Sequence, residues 1–395
     1  MKPLLTLTLL LGTAGAAPTP VVFWHSMQGV SSLIEGYASD FNRSQTQYVV
    51  TAKAVGNYRE AAARLQDALQ AGTAPALFQA EFTTFTALAA QGQLEPLDRA
   101  ADDLPPALTQ DLYPAVWRAG EVEGHRYGLP WNVSVPVLYY NAGAFRKAGV
   151  SAPATWSELE TAAQRLKTGG RRPLVAVADA WTFEGLVAVR GGQLVQGNRP
   201  AFDSPEAVAA LEQLTRMVRA GTAQPRTLDQ VVGAALDFTR GQNVMAVASI
   251  ANQNDFARLP FIQLGVAPFP CEKRCAPPLG GANLVVPRGT PAAEQAGALA
   301  FWRYLMDPAR LNSWVKATGY LSPRRSVQAR LSSAEAPGSA RRAAADQLLM
   351  AQPRPTAPQY SRWQPLLEAA ISSALSGRQS AEAALQDAQR RATQP

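Results

Sequence analysis

With 395 residues, 47% of them hydrophobic and 17% charged, the chain reads as a globular protein long enough for two or three domains, which excludes the disordered and fibrous classes. Its formal charge of +7 comes without basic and aromatic residues interleaved in a nucleic-acid module, so no nucleic-acid partner is expected and the excess reads as solvated surface that also attracts anions. Arginine pairs such as Arg324-Arg325 and Arg341-Arg342 fit the same reading.

The N-terminus has Lys2, an apolar run from Leu4 to Leu11 and small residues from Gly12 to Ala17, with Ala14 and Ala16 supplying an A-x-A site. Residues 1–17 are therefore expected to be a secretory signal. No later apolar segment reaches the roughly 18 residues of a membrane-spanning helix. In an exported chain, Cys271 and Cys275 are expected to form a disulfide closing a small loop, since two cysteines alone make a poor metal site.

In chain order, Pro20 to Ser26 is a short buried-strand candidate, and Leu33, Ile34, Tyr37 and Phe41 then recur at helical spacing. Tyr48 to Ala52 reads as a second strand. Asn57-Tyr58 opens a helix carrying Ala61, Leu65, Ala68 and Leu69. After Gly72-Thr73-Ala74-Pro75-Ala76, a third strand and helix begin, with Glu81 just past the strand. This alternation predicts an α/β lobe with a largely parallel sheet, in which helix N-termini lie at the strand ends where ligands bind.

Gly128 to Asn141 is apolar and β-branched, but Pro130 and Pro136 each remove a backbone donor. It reads either as an edge strand or as a crossing between two lobes that offers Ser134 to a cleft. Beyond it, Thr155-Trp156-Ser157-Glu158 starts a helix and Leu174 to Ala178 forms a strand followed by Trp181. Ser204-Pro205 caps a further helix, and Val244 to Ser249 is another strand. A second crossing is expected after Phe261. A strand over Leu284 to Val286 and a helix over Pro291 to Leu305 precede a mostly helical remainder.

Catalysis finds little support. The histidines are His25 and His125, and H-E-x-x-H, G-x-S-x-G and Walker A patterns are absent. His25 reads as a hydrogen-bonded histidine at a strand end. No enzymatic activity, cofactor or metal is expected.

The segments Phe23-Trp24-His25-Ser26-Met27-Gln28-Gly29, Gly56-Asn57-Tyr58, Gly72-Thr73-Ala74-Pro75-Ala76 and Pro130 to Asn141 together resemble the extracellular solute-binding proteins of ABC importers, within their glycerol-3-phosphate-binding branch. Thr155 to Leu159, Gly280-Gly281-Ala282 and Thr318-Gly319-Tyr320-Leu321 extend the resemblance over the mature chain. It implies the periplasmic binding protein type II fold, with two α/β lobes joined by hinge crossings around a ligand cleft. The lobes are expected at 18–136 plus 267–308 and at 137–266 plus 309–395. It further implies a periplasmic monomer that captures glycerol-3-phosphate or a glycerophosphodiester and delivers it to membrane permease subunits. A malto-oligosaccharide or trehalose-type ligand stays open, as does a secreted glycerophosphodiester hydrolase.

Carried over position by position, the resemblance puts ligand contacts at Tyr58, Glu81, Ser134, Trp181, Ser249, Gly281 and Tyr320. Glu81 suits the hydroxyl end of the ligand, since it accepts hydrogen bonds but repels phosphate. The serines, the tyrosines and the Gly281 amide can donate to phosphate oxygens, and Trp181 would form an apolar wall. Two positions depart from the pattern. A second family tryptophan is replaced near Glu184, and the arginine that grips phosphate corresponds to Gln364. Arg362, two residues earlier, lies about 200° around a helix axis and substitutes only if that segment is not helical or its register shifts.

Overall fold

The computed structural model describes residues 17–335 and 339–394, so the expected signal lies outside the described residues except for Ala17. Two five-stranded sheets organise it. The first opens with β1 (Thr19–His25), α1 (Ser31–Ser44), β2 (Tyr48–Ala54), α2 (Tyr58–Ala71), β3 (Leu77–Glu81) and α3 (Phe82–Ala90). The start of α2 is fixed by a reciprocal cap: the Asn57 side chain accepts from the Arg59 and Glu60 amides, and Glu60 accepts from the Asn57 amide. Ala61, Leu65 and Ala68, at helical spacing, then bury one face.

β4 (Gly128–Ser134) closes the first sheet, and after Val135 the chain enters the second sheet as β5 (Pro136–Asn141). There follow α4 (Trp156–Leu166), β6 (Leu174–Val177), α5 (Ala180–Ala188), α6 (Pro205–Arg219), β7 (Ala223–Arg226), β8 (Met245–Ser249) and β9 (Leu264–Pro268). β10 (Gly280–Val285) returns to the first sheet, and α7 (Ala292–Leu305), α8 (Pro308–Thr318), α9 (Arg325–Ser333), α10 (Tyr360–Leu375) and α11 (Ala381–Ala392) complete the chain. The strand orders are β2-β1-β3-β10-β4 and β7-β6-β8-β5-β9.

The expectation of a largely parallel sheet is corrected to a mixed one. The sequential strands pair in parallel, but β10 runs antiparallel to β3 and β4, and β5 antiparallel to β8 and β9. Strands that cross between lobes enter each sheet from its opposite end, which reverses their sense. The two prolines sit where a ladder tolerates them: Pro136 is the first residue of β5, while Pro130 lies on an edge strand beside a register shift. That irregularity accompanies Trp131, whose ring is buried and stacks on Trp314 at 4.8 Å.

Each lobe has its own core, and the cores correct the expected lobe boundaries. Phe269 and Ala276 pack in the second core, and Cys271 lies beside Thr155 at the start of α4. Leu311, Trp314 and Val315 of α8, with Val327 and Leu331 of α9, pack in the first core. The first lobe is thus rejoined near Gly280 and keeps the chain through α9, whereas Trp363, Leu367 and Ile371 return it to the second. The sulfurs of Cys271 and Cys275 are bonded. Among the described residues, no helix is long and apolar enough to cross a membrane, and no group of three or more His, Cys, Asp or Glu could hold a metal ion.

His25 ends β1 fully buried, and its Nδ1 accepts the Met27 amide at 3.2 Å, which leaves the proton on Nε2. Burial lowers its pKa to about 4, against the opposing pull of the Glu35 carboxylate. In the unfolded chain an ordinary imidazole protonates below about 6.5. The unfolded state therefore binds the extra proton between these values, and the fold should lose up to about 3 kcal/mol as pH falls through that window. Urea unfolding at pH 7 and pH 4.5 should show a larger drop in the wild type than in His25→Gln. Equal drops would remove His25 as the source.

Candidate functional site

A cleft of about 560 Å³ is walled by both lobes, and Tyr58, Glu81, Ser134, Trp181, Ser249, Gly281, Tyr320 and Gln364 all line it. They come from the first turn of α2, the end of β3, the end of β4, the first turn of α5, the end of β8, the start of β10, the turn after α8 and the first turns of α10. Strand ends and helix starts thus converge at one place, as the α/β alternation requires.

On the first lobe, the Tyr58 hydroxyl accepts a bond from Asn132 Nδ2 at 3.0 Å, and Asn132 Oδ1 accepts one from Gln79 Nε2 at 2.8 Å. Gln79 Oε1 in turn takes the Ser26 amide at 2.8 Å. This buried chain fixes Tyr58 in place. Burial pushes the Tyr58 hydroxyl well above its ordinary value and raises that of Tyr320 as well, so both remain proton donors.

Glu81 is more committed than the sequence suggests. One carboxylate oxygen accepts the Thr83 amide at 2.9 Å and the Thr83 hydroxyl, which caps α3; the other accepts Arg354 Nη1 at 2.8 Å. Ser249 likewise caps the turn that follows it, accepting the Ala251 amide at 3.2 Å, and retains a hydroxyl proton to donate.

Where β10 passes β4 at this wall, Gly280 and Gly281 leave no room for a side chain. Gly281 has φ +121, and a Cβ there would lie 1.9 Å from the Asn132 carbonyl oxygen. At Gly280 a Cβ would meet Ser134 Oγ and Trp181 Cζ2, each at 2.6 Å. The absent side chain lets the Trp181 ring lie against the strand, and its Nε1 donates to the Leu279 carbonyl at 3.2 Å. With its polar edge satisfied, the indole presents an apolar surface.

α10 is helical from Tyr360, so Arg362 is exposed on another face while Gln364 faces the cleft, donating to Glu368 Oε1 at 3.0 Å. The condition under which Arg362 could substitute is not met. Pro365, also lining the cleft, removes the amide that would have bonded the Ser361 carbonyl.

Sequence reasoning missed the guanidinium that dominates the site. Arg354 lies in the non-helical stretch before α10, so the expectation of a mostly helical tail fails there. Its Nε and Nη2 donate to the two oxygens of Glu184 at 2.6 and 2.8 Å, and Tyr360 donates its hydroxyl to the same carboxylate. Burial pushes the Glu184 carboxyl up, while Arg354 and Tyr360 pull it down. Burial works against the Arg354 charge too, yet Glu184 and Glu81 hold that guanidinium above its ordinary value. The other arginine lining the cleft among the described residues, Arg59, is exposed at the mouth, 3.6 Å from Glu368. The motif Pro353-Arg354-Pro355, an arginine held extended between two prolines, is the signal that could have found it.

A model of bacterial extracellular solute-binding proteins matches residues 36–342, and the chain belongs to that family. Its two-lobed architecture is that of type II periplasmic binding proteins. The chain is 28% identical over 353 residues to the sn-glycerol-3-phosphate-binding periplasmic protein UgpB of Escherichia coli O1:K1, spanning 81% of this chain and 79% of that one. The UgpB of Yersinia pestis bv. Antiqua is also 28% identical, over 345 residues, with 80% and 77% covered. Among solved structures, UgpB from Mycobacterium tuberculosis in complex with glycerophosphocholine matches at TM-score 0.83 and 25% identity, covering 95% of this chain and 98% of that one. The GacH receptor of Streptomyces glaucescens, solved unliganded and with acarbose, matches at 0.83 and 23%, with 95% and 97% covered.

Proposed function

We propose that the protein is the periplasmic, monomeric solute-binding component of an ABC importer, and that it captures a glycerophosphodiester such as glycerophosphocholine by lobe closure, performing no chemistry on it. One observation carries the choice of ligand: among the described residues, the buried guanidinium lining the cleft is already bonded to two carboxylates. Gln364 stands where the branch pattern has its phosphate-gripping arginine, Arg354 is bonded to two carboxylates, and Arg59 lies at the mouth. A doubly charged phosphate monoester needs charge-assisted donors in the water-excluded site, each worth about 1.5 to 3 kcal/mol. A singly charged diester needs fewer, and can use the neutral donors of Ser134, Ser249, Tyr58 and Tyr320. In this reading Glu81, its carboxylate already holding Thr83 and Arg354, has one acceptor position left for a glycerol hydroxyl.

A second reading, a neutral oligosaccharide, is favoured by the aromatic lining of Trp181, Tyr58 and Tyr320 beside carboxylates. Calorimetric titration of the mature protein with glycerophosphocholine, sn-glycerol-3-phosphate and maltose separates the two. Glycerophosphocholine should bind most tightly, and binding of maltose alone would overturn the diester. In the same assay, Gln364→Arg should tighten sn-glycerol-3-phosphate binding by about 1.5 kcal/mol, roughly tenfold. The lower end of the range applies because Glu368 also attracts the new guanidinium. Unchanged affinity would mean that position 364 does not face the phosphate.

A further inference from the structure

Arg354 lies on the cleft wall between the lobes, yet its charge is engaged from both sides. Nε and Nη2 form a side-by-side pair with Glu184 on α5 of the second lobe, and Nη1 reaches Glu81 on the first. Three of its five N–H groups are used. One guanidinium against two carboxylates leaves the cluster with a net charge of −1, where an unpaired arginine would present +1.

Stability does not account for Glu184. Its neighbours on α5, Phe183 and Leu186, are core residues, and the Glu184 and Arg354 side chains are only 7% and 6% exposed. Removing two ions from water to bury them costs about as much as their attraction returns, and well-packed apolar side chains in their place are often equally stable or more so. The pair is therefore weak evidence of a stabilising role, which directs attention to what it does to the cleft.

We propose that Glu184 is a specificity-determining residue: by holding Arg354 from the second lobe, it keeps that guanidinium from serving a phosphate monoester and confines the site to ligands of lower negative charge. This deepens the reading of the cleft as the solute site, but it does not depend on which solute is taken up. Glu184 acts through Arg354 and through the charge it places behind the wall. Tyr360, donating to the same carboxylate, keeps Glu184 aimed at the guanidinium.

The test is calorimetry with sn-glycerol-3-phosphate, inorganic phosphate and glycerophosphocholine on the wild type, Glu184→Gln, and Glu184→Gln combined with Arg354→Gln. Glu184→Gln keeps the shape and removes one negative charge. It should raise affinity for sn-glycerol-3-phosphate by about tenfold or more, and the double variant should lose that gain. A folded Glu184→Gln whose affinity for sn-glycerol-3-phosphate is unchanged or weaker overturns the proposal, as does a gain that persists without Arg354. If circular dichroism shows Glu184→Gln unfolded, Glu184→Met, of similar volume and also uncharged, is read in the same way. Failure of glycerophosphocholine to bind the wild type would overturn the diester reading alone, because the role of Glu184 is judged on the monoester.

Discussion

Arg354→Met should lower stability by about 3 to 5 kcal/mol, the range for breaking a buried ion pair by removing one partner. Methionine fills most of the volume, so lost packing contributes little. What remains is Glu184, buried, near Glu81, and among the described residues with only Tyr360 as a donor to it. Burial already pushes the Glu184 carboxyl up, and without the guanidinium it should rise further. A carboxyl whose folded value lies above its unfolded value destabilises the fold increasingly as pH rises through the interval between them. The deficit should therefore be largest at neutral pH and shrink at pH 5, as measured by denaturant unfolding of variant and wild type at both values. A deficit below about 1 kcal/mol that does not vary with pH would mean that water solvates the two carboxylates readily.

Gly281→Ala should abolish ligand binding and destabilise the first lobe. A residue with a side chain at φ +121 carries strain of order 1–3 kcal/mol. The greater difficulty is that the new methyl would sit 1.9 Å from the Asn132 carbonyl oxygen, a backbone atom of the neighbouring strand that cannot swing away. Relief requires β4 and β10 to separate where Asn132 holds Tyr58 and where Ser134 meets the cleft. Calorimetry should show binding weakened more than about a hundredfold, near 3 kcal/mol, together with a lowered melting temperature. Retained binding in a destabilised protein would place Gly281 outside the ligand wall.

The parts of this molecule readable from sequence are those whose cause is local. Pro130 and Pro136 announce that this stretch is not one uninterrupted central strand, and the chain does change sheets at Val135, between the two prolines. Asn57 with Glu60 announces the start of α2, and so the placement of Tyr58. Ser204 with Pro205 does the same for α6. Periodicity shows that α8 has an apolar face, but not which sheet it covers. That choice is made by Trp131, far upstream, onto which Trp314 stacks. The gathering of eight separated positions into one cleft was legible only through matched motifs, since nothing in their spacing brings them together. Arg354 was illegible for the same reason: its partners Glu184 and Glu81 are 170 and 273 residues away, and a lone arginine in an extended stretch resembles solvated surface until its neighbours are known.

The crossing at Val135 also bears on how little a ligand has to supply. Val133, Val135 and Val137 pack with Leu279, just before the chain rejoins the first sheet, and with Leu321, between α8 and α9, and the Leu321 amide donates to the Val133 carbonyl. Several chain passages are thus knotted at one apolar point beside the cleft. Packing of this kind restricts how the two lobes can move relative to one another, so part of the cost of aligning the two walls is met in folding. On the proposed reading, a small solute, limited to about 1.5 kcal/mol per atom at the very best, then has correspondingly little to supply in closing the pair.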